Sequence, residues 1–286
     1  MPTAWGLREA IIAGIVPPRV GIHADDPHWR GIVSGQFSEM TEAFRSSGWS
    51  SIDRFLEKRP QFQRNGKIAI ATKLVPLELE AVNQRRVCGD WYAWLFEAID
   101  GSVDGWRKAN LSVVTFNYDR TFEIGLTLML ANSGAQPIQE VWDQVCSLPI
   151  YHVYGALGNM IRFSSSSQVD IDRSPNGVIS GAESIRIISD ERANDDEVLQ
   201  CSRRAVLSAD RLIFLGFGFD ETNLERIGIT GHKDDWLHRP LREVFASAMG
   251  REGVEREVIP RRIGHDVGIG GTDDGCLDFL RKVIEF

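Results

Sequence analysis

Apolar residues recur first at helical spacing and later in short unbroken runs. "WGLREAIIAGI" carries them on a helical stripe, and Pro17-Pro18 closes it. "GQFSEMTEAFRSSG" predicts a second helix. "SIDRFLEKRP" predicts a third, with Ser51 or Asp53 near its start and Pro60 at its stop. "GKIAIATKLVPLELEAVNQ" and "DWYAWLFEAID" predict two longer helices, with Trp91, Leu95 and Ile99 on one stripe of the latter.

Beyond this helical third, "LSVVTF", "LPIYHVYG", "DRLIFLGFGF" and "REVIPR" predict strands. "GLTLMLANSG", "DEVLQCSRRAVLSA", "RPLREVFASAMGREG" and "GCLDFLRKVIEF" predict helices. "IRFSSSSQVDIDRSPNGVISG" is polar and turn-rich, so an excursion with a short hairpin is expected there. Strands alternating with helices indicate an α/β fold, a Rossmann-like doubly wound parallel sheet. The expected organisation is one domain over residues 1–286. Its first 110 residues are largely helical, and residues 111–286 carry the sheet, with central strands over 111–116, 149–154 and 211–216.

A formal net charge of -8 argues against a phosphate-dominated nucleic-acid binder, so no direct nucleic-acid binding is expected. No stretch approaches the roughly 20 apolar residues that span a bilayer. The N-terminal run has no basic flank and no cleavage signal, which predicts a cytoplasmic protein. Cys88, Cys146, Cys201 and Cys276 stand apart from one another, so neither a zinc site nor a disulfide framework is indicated and no metal is expected.

Three strands end in residues that a plain core does not require. "VVTFNYDRTFE" runs from a buried strand straight into Asn117-Tyr118-Asp119. In "PIYHVYGALG", His152 and Tyr154 share a face two residues apart. "LIFLGFGFDETNL" opens into Gly216-Phe217-Gly218-Phe219-Asp220 and then Asn223. Each has a plainer reading. Asn117 and Asp119 are common helix caps; His152 can be a hydrogen-bonded core histidine; Gly216 and Gly218 can make a tight strand-to-helix turn. Together, three such ends in one parallel sheet would meet at its carboxyl edge, where ligands bind.

The order T-x-N-x-D, then a His-containing strand closing in Gly, then G-F-G-F-D-x-x-N, resembles the SIR2-like fold. Within it, the chain looks like the bacterial SIR2-like domains of antiphage-defence NAD hydrolases. The helical segments "SIDRFLEKRP" and "DWYAWLF" sit where those domains carry similar ones. The resemblance implies that Asn117 stands beside the nicotinamide ribose and that His152 is the general base. It also implies that Thr115, Asp119, Tyr154, Gly216, Gly218 and Asn223 line the NAD+ site. NAD+ is then the substrate, cleaved to nicotinamide and ADP-ribose, by a homo-oligomer working with a partner defence protein. The alternative is a module that binds NAD+ or ADP-ribose without cleaving it, or a regulatory subunit of a defence complex.

The chain departs from that family in three places. The family's Gly-rich G-A-G-x-S loop is missing, and "MPTAWG" looks like the segment just after it, so the resemblance implies that Met1 is an internal methionine of a longer protein. Tyr154 stands where the family has His before Gly, with His152 about 7 Å earlier along the strand. The zinc-binding Cys pairs of the deacylases are lacking too, which disfavours a protein deacylase.

Overall fold

The computed structural model describes residues 4–13, 36–83, 90–134, 136–158, 161–163, 169–172, 174–187, 196–229 and 243–284. The helices that precede the first strand are α1 (Ala4–Ile12), α2 (Gln36–Ser46), α3 (Ile52–Lys58), α4 (Gln63–Asn83), α5 (Asp90–Ala98) and α6 (Val103–Lys108), with a 3-10 turn at Pro60–Phe62. Then follow β1 (Val113–Thr115), α7 (Thr121–Gly134), α8 (Ile138–Cys146), β2 (Ile150–His152), β3 (Ile161–Phe163), β4 (Val169–Ile171) and α9 (Pro175–Glu183). The chain closes with α10 (Glu197–Ser208), β5 (Arg211–Phe214), α11 (Glu221–Arg226), β6 (Glu243–Ala246), α12 (Val254–Ile263), β7 (Gly268–Ile269) and α13 (Cys276–Val283). The protein is thus mixed α/β, mostly helical, with small sheets. Among the described residues no helix is long and apolar enough to cross a membrane.

The chain folds into two compact units. The first comprises Met1–Cys88, Thr115–Leu148 and Tyr154–Ala193. Its organiser is α4, which packs against α1, α2, α3, α7, β4 and α9. Ile68, Ala69, Ile70, Ala71, Leu74 and Val75 are all buried, so this helix is covered on every side over two turns. The buried Thr72 hydroxyl donates to the Ile68 carbonyl at 2.7 Å, which satisfies it inside the helix. At the start of α3, Ser51 caps the Asp53 N–H at 3.2 Å. Phe55 on that helix stacks between Phe44 and Phe62, with ring centroids 4.9 and 5.9 Å away. The expected hairpin forms: β3 pairs antiparallel with β4, Ile161 opposite Ile171 and Phe163 opposite Val169.

The second unit comprises Gly89–Val114, Pro149–Val153 and Asn194–Phe286. Here β5, β6 and β7 lie in that order in one sheet, both pairs parallel, with Phe214 opposite Ala246 and Ala246 opposite Ile269. β1 and β2 pair with each other, and Val113 N–H donates to the Pro149 carbonyl at 2.9 Å. Among the described residues, hydrogen bonds do not join these two sets of strands. The wholly buried Trp106 of α6 is fixed by its indole N–H, which donates to the Leu111 carbonyl at 2.8 Å.

Two sequence expectations exchange places. The helix expected over 239–253 contains β6 instead, with Val244 and Ala246 buried and Glu243 exposed; residues 230–242 lie outside the described residues. The strand expected at "REVIPR" is part of α12, where Ile259 and Ile263 are the buried pair, one turn apart. Helix α8 was legible but not anticipated: Ile138, Val141, Trp142 and Val145 follow helical spacing and are buried. Helix α9 rises from the polar excursion because Ser174 caps the Gly177 N–H at 3.1 Å and Pro175 occupies the first turn.

Candidate functional site

The loop leaving β1 is held at every residue. Thr115 Oγ1 accepts the Asn117 N–H at 3.1 Å, bending the chain where the strand stops. The Tyr118 carbonyl accepts from the Leu157 N–H at 2.7 Å, and its hydroxyl donates to the Asp53 carboxylate on α3. Asp119, buried, accepts from both the N–H and the hydroxyl of Thr121, forming a local turn at the start of α7. Asn117 alone of residues 117–119 is exposed. The strand-end pair therefore divides its work: Asp119 is a buried, turn-forming carboxylate, and Asn117 is exposed.

Behind this loop lies a buried charge cluster that the sequence reading missed. Glu78 of α4, 1% exposed, accepts the Arg120 N–H. Burial pushes the Glu78 carboxyl up to about 8, and the negative charges of Asp119 and Glu123 add to the effect. The Arg120 N–H and guanidinium oppose it without prevailing. At neutral pH this carboxyl is therefore mostly protonated and can donate as well as accept. The Arg120 guanidinium donates to Glu123 at 3.0 Å and to Cys146 Sγ at 3.4 Å, and lies 4.5 Å from the Trp142 ring centroid. Burial works against the Arg120 charge, yet Glu123 holds its pKa above the ordinary value. A signal for Glu78 was present, since position 78 continues the buried stripe through 71, 74 and 75.

Tyr154 also belongs to this unit and is buried, its ring 5.5 Å from Phe116 and 6.4 Å from Tyr118. Its carbonyl accepts the Arg186 N–H at 2.8 Å. The next residue, Gly155, has φ +70, and a Cβ there would come within 2.1 Å of the Ser184 carbonyl oxygen. Only glycine fits that approach.

The remaining candidates belong to the second unit. His152 ends β2, half-buried, and that strand packs against α10. After β5, Gly216 takes φ +59 and donates its N–H to the Ser247 hydroxyl at 2.8 Å. Gly216 and Gly218 are exposed, and a Cβ on either would meet open space, so the backbone here is uncovered. Phe219 also has a positive φ, 53°, while its ring is buried within 5.4 Å of Phe214 and 5.2 Å of Phe217. A left-handed phenylalanine is a costly conformation that surrounding structure must impose. Arg262 supplies part of that hold, donating to the Phe219 carbonyl at 2.7 Å, and Arg251 reaches the Phe217 carbonyl at 3.4 Å. Asp220 caps α11 through the Thr222 N–H at 3.1 Å, and Asn223 lies half-buried in that helix's first turn.

Thus Thr115, Asn117, Asp119 and Tyr154 belong to one unit, and His152, Gly216, Gly218 and Asn223 to the other. Among the described residues no group of three or more His, Cys, Asp or Glu is placed to hold a metal ion. Comparison of the chain with known protein families, with curated proteins and with solved structures finds no match.

Proposed function

We propose that this chain is a SIR2-like NAD+ glycohydrolase of a bacterial antiphage system. The observation that carries the reading is the loop after β1, where exposed Asn117 stands in a loop whose backbone is held by Thr115, Leu157 and Glu78 and whose Tyr118 and Asp119 side chains are held by Asp53 and Thr121. An amide carried on a held loop suits a reaction whose transition state develops charge on a sugar, because little backbone reorganisation is needed as that charge appears. The uncovered backbone at Gly216 and Gly218 suits close approach by a nucleotide.

In the reaction, the C1′–N bond of the nicotinamide riboside breaks. Its electron pair neutralises the pyridinium nitrogen. Water adds at C1′ and gives its proton to a base, for which His152 is the candidate. Asn117 orients the ribose hydroxyls or the water; Thr115, Asp119 and Tyr154 are the cofactor-binding candidates of its own unit, and Asn223 is a candidate of the second unit. A Rossmann-like sheet joining the strands of the second unit, a cytoplasmic homo-oligomer and a partner defence protein complete the proposal.

Release of nicotinamide from NAD+ by the purified protein, lost in Asn117→Ala, tests it. No turnover under any condition, with NAD+ or ADP-ribose still raising the melting temperature, would support the non-catalytic module instead. The buried Tyr154 in the position of the family's histidine favours that second reading.

A further inference from the structure

Glu78 is a carboxyl that neither the sequence motifs nor the proposed chemistry employs. In its helix, α4, the buried residues of the preceding two turns are apolar except Thr72, so the stripe that Glu78 continues is otherwise an apolar one. An apolar residue would bury more favourably, since an ionisable group costs desolvation wherever it is not compensated. The compensation present is specific: one carboxyl oxygen accepts the Arg120 N–H, the donor immediately after Asp119. That donor lies at the start of α7, where no intrahelical carbonyl can take it.

We propose that Glu78 is a positioning residue for the Asn117–Asp119 loop: its buried carboxyl holds the Arg120 amide and so determines where the chain leaving β1 presents Asn117. This rests on the NAD+-cleaving reading for its catalytic consequence, and on the hydrogen bond alone for its structural one. The groups facing Glu78 are Asp119 and Arg120 of the loop and Glu123 of α7, and Arg120 is itself engaged by Glu123 and by Cys146 of α8. Two of these three neighbours are acidic. Loss of the Glu78 proton therefore places a third negative charge beside Asp119 and Glu123, with Arg120 the cation facing it among the described residues. The Arg120 N–H favours the charged carboxylate, but burial and repulsion from Asp119 and Glu123 outweigh it, so the carboxylate moves toward water and the loop loses its rearward anchor.

The test is amide hydrogen exchange over residues 117–121 from pH 6 to 9.5, corrected for the intrinsic chemical rate, with nicotinamide release measured in the same buffers. In the wild-type protein, protection should fall about ten-fold per pH unit above the Glu78 transition, and kcat should fall with it while KM changes little. Glu78→Gln keeps an acceptor for the Arg120 N–H but cannot ionise. Its protection and its kcat should stay level across the same range. Protection in the wild-type protein that does not change through pH 8, or a Glu78→Gln protein with the same alkaline loss, would overturn the proposal. Should Glu78→Gln fail to fold, the wild-type titration decides by itself. Absence of nicotinamide release at every pH would defeat the NAD+-cleaving reading and leave the exchange result to judge Glu78.

Discussion

The carboxyl of Glu78 accepts the backbone N–H of Arg120, 42 residues later in the chain, so the central helix of the first unit holds the loop that follows β1. Asn117, three residues before that amide, is exposed on a backbone with few remaining freedoms. A side chain meant to act on a ligand gains from such an arrangement, because the ordering cost is met on folding rather than on binding.

Asn117→Ala should reduce NAD+ turnover by about 10²–10³-fold, the usual loss for one preorganised donor. Because Asn117 is exposed, far-UV circular dichroism and the melting temperature should change little. Turnover within a factor of two of wild type would remove Asn117 from the site.

His152→Ala should lower turnover by about 10²–10⁴-fold if His152 is the base. Tyr154→Phe supplies the contrast, since it keeps the ring packed against Phe116 and Tyr118. Full activity in His152→Ala together with loss in Tyr154→Phe would transfer the role to Tyr154.

Stability should fall as pH rises from about 5 to about 8. The folded carboxyl of Glu78 keeps its proton to about 8, against an ordinary value of 4.5. Its contribution is thus complete below the lower value and is lost as pH climbs through the upper one. One proton sets the steepest slope at about 1.4 kcal/mol per pH unit. Urea unfolding at several pH values measures it, and Glu78→Gln should flatten the curve.

Two glycine substitutions should separate strain from collision. At Gly216 a Cβ meets open space, so Gly216→Ala suffers only its left-handed φ, about 1–2 kcal/mol. At Gly155 the added carbon collides with the Ser184 carbonyl oxygen as well, and Gly155→Ala should cost about 3 kcal/mol. Equal shifts in melting temperature would contradict this geometry.

Local signals in the sequence determined much of the secondary structure. Ser51, Ser102, Ser174 and Asp220 each cap a helix through a side-chain oxygen, and each stands within a few residues of the amide it binds. The strands leading into Asn117 and Gly216, and the helices of the first hundred residues, were legible for the same reason. Where local signals were ambiguous, tertiary packing decided. "EVF" at 243–245 and "EVI" at 257–259 read almost alike, yet the first pairs with β5 as a strand and the second lies in a helix closed by left-handed Gly264. The roles within Asn117-Tyr118-Asp119 were likewise undecided until the local turn with Thr121 and the long-range bond to Asp53 appeared. Asp119 was drawn into a turn, Tyr118 was tied to Asp53, and Asn117 was left exposed. Glu78 depended most on the fold. Its position on a buried stripe is written in the helical period, but its proton is retained because tertiary structure removes water and brings Asp119 and Glu123 near it.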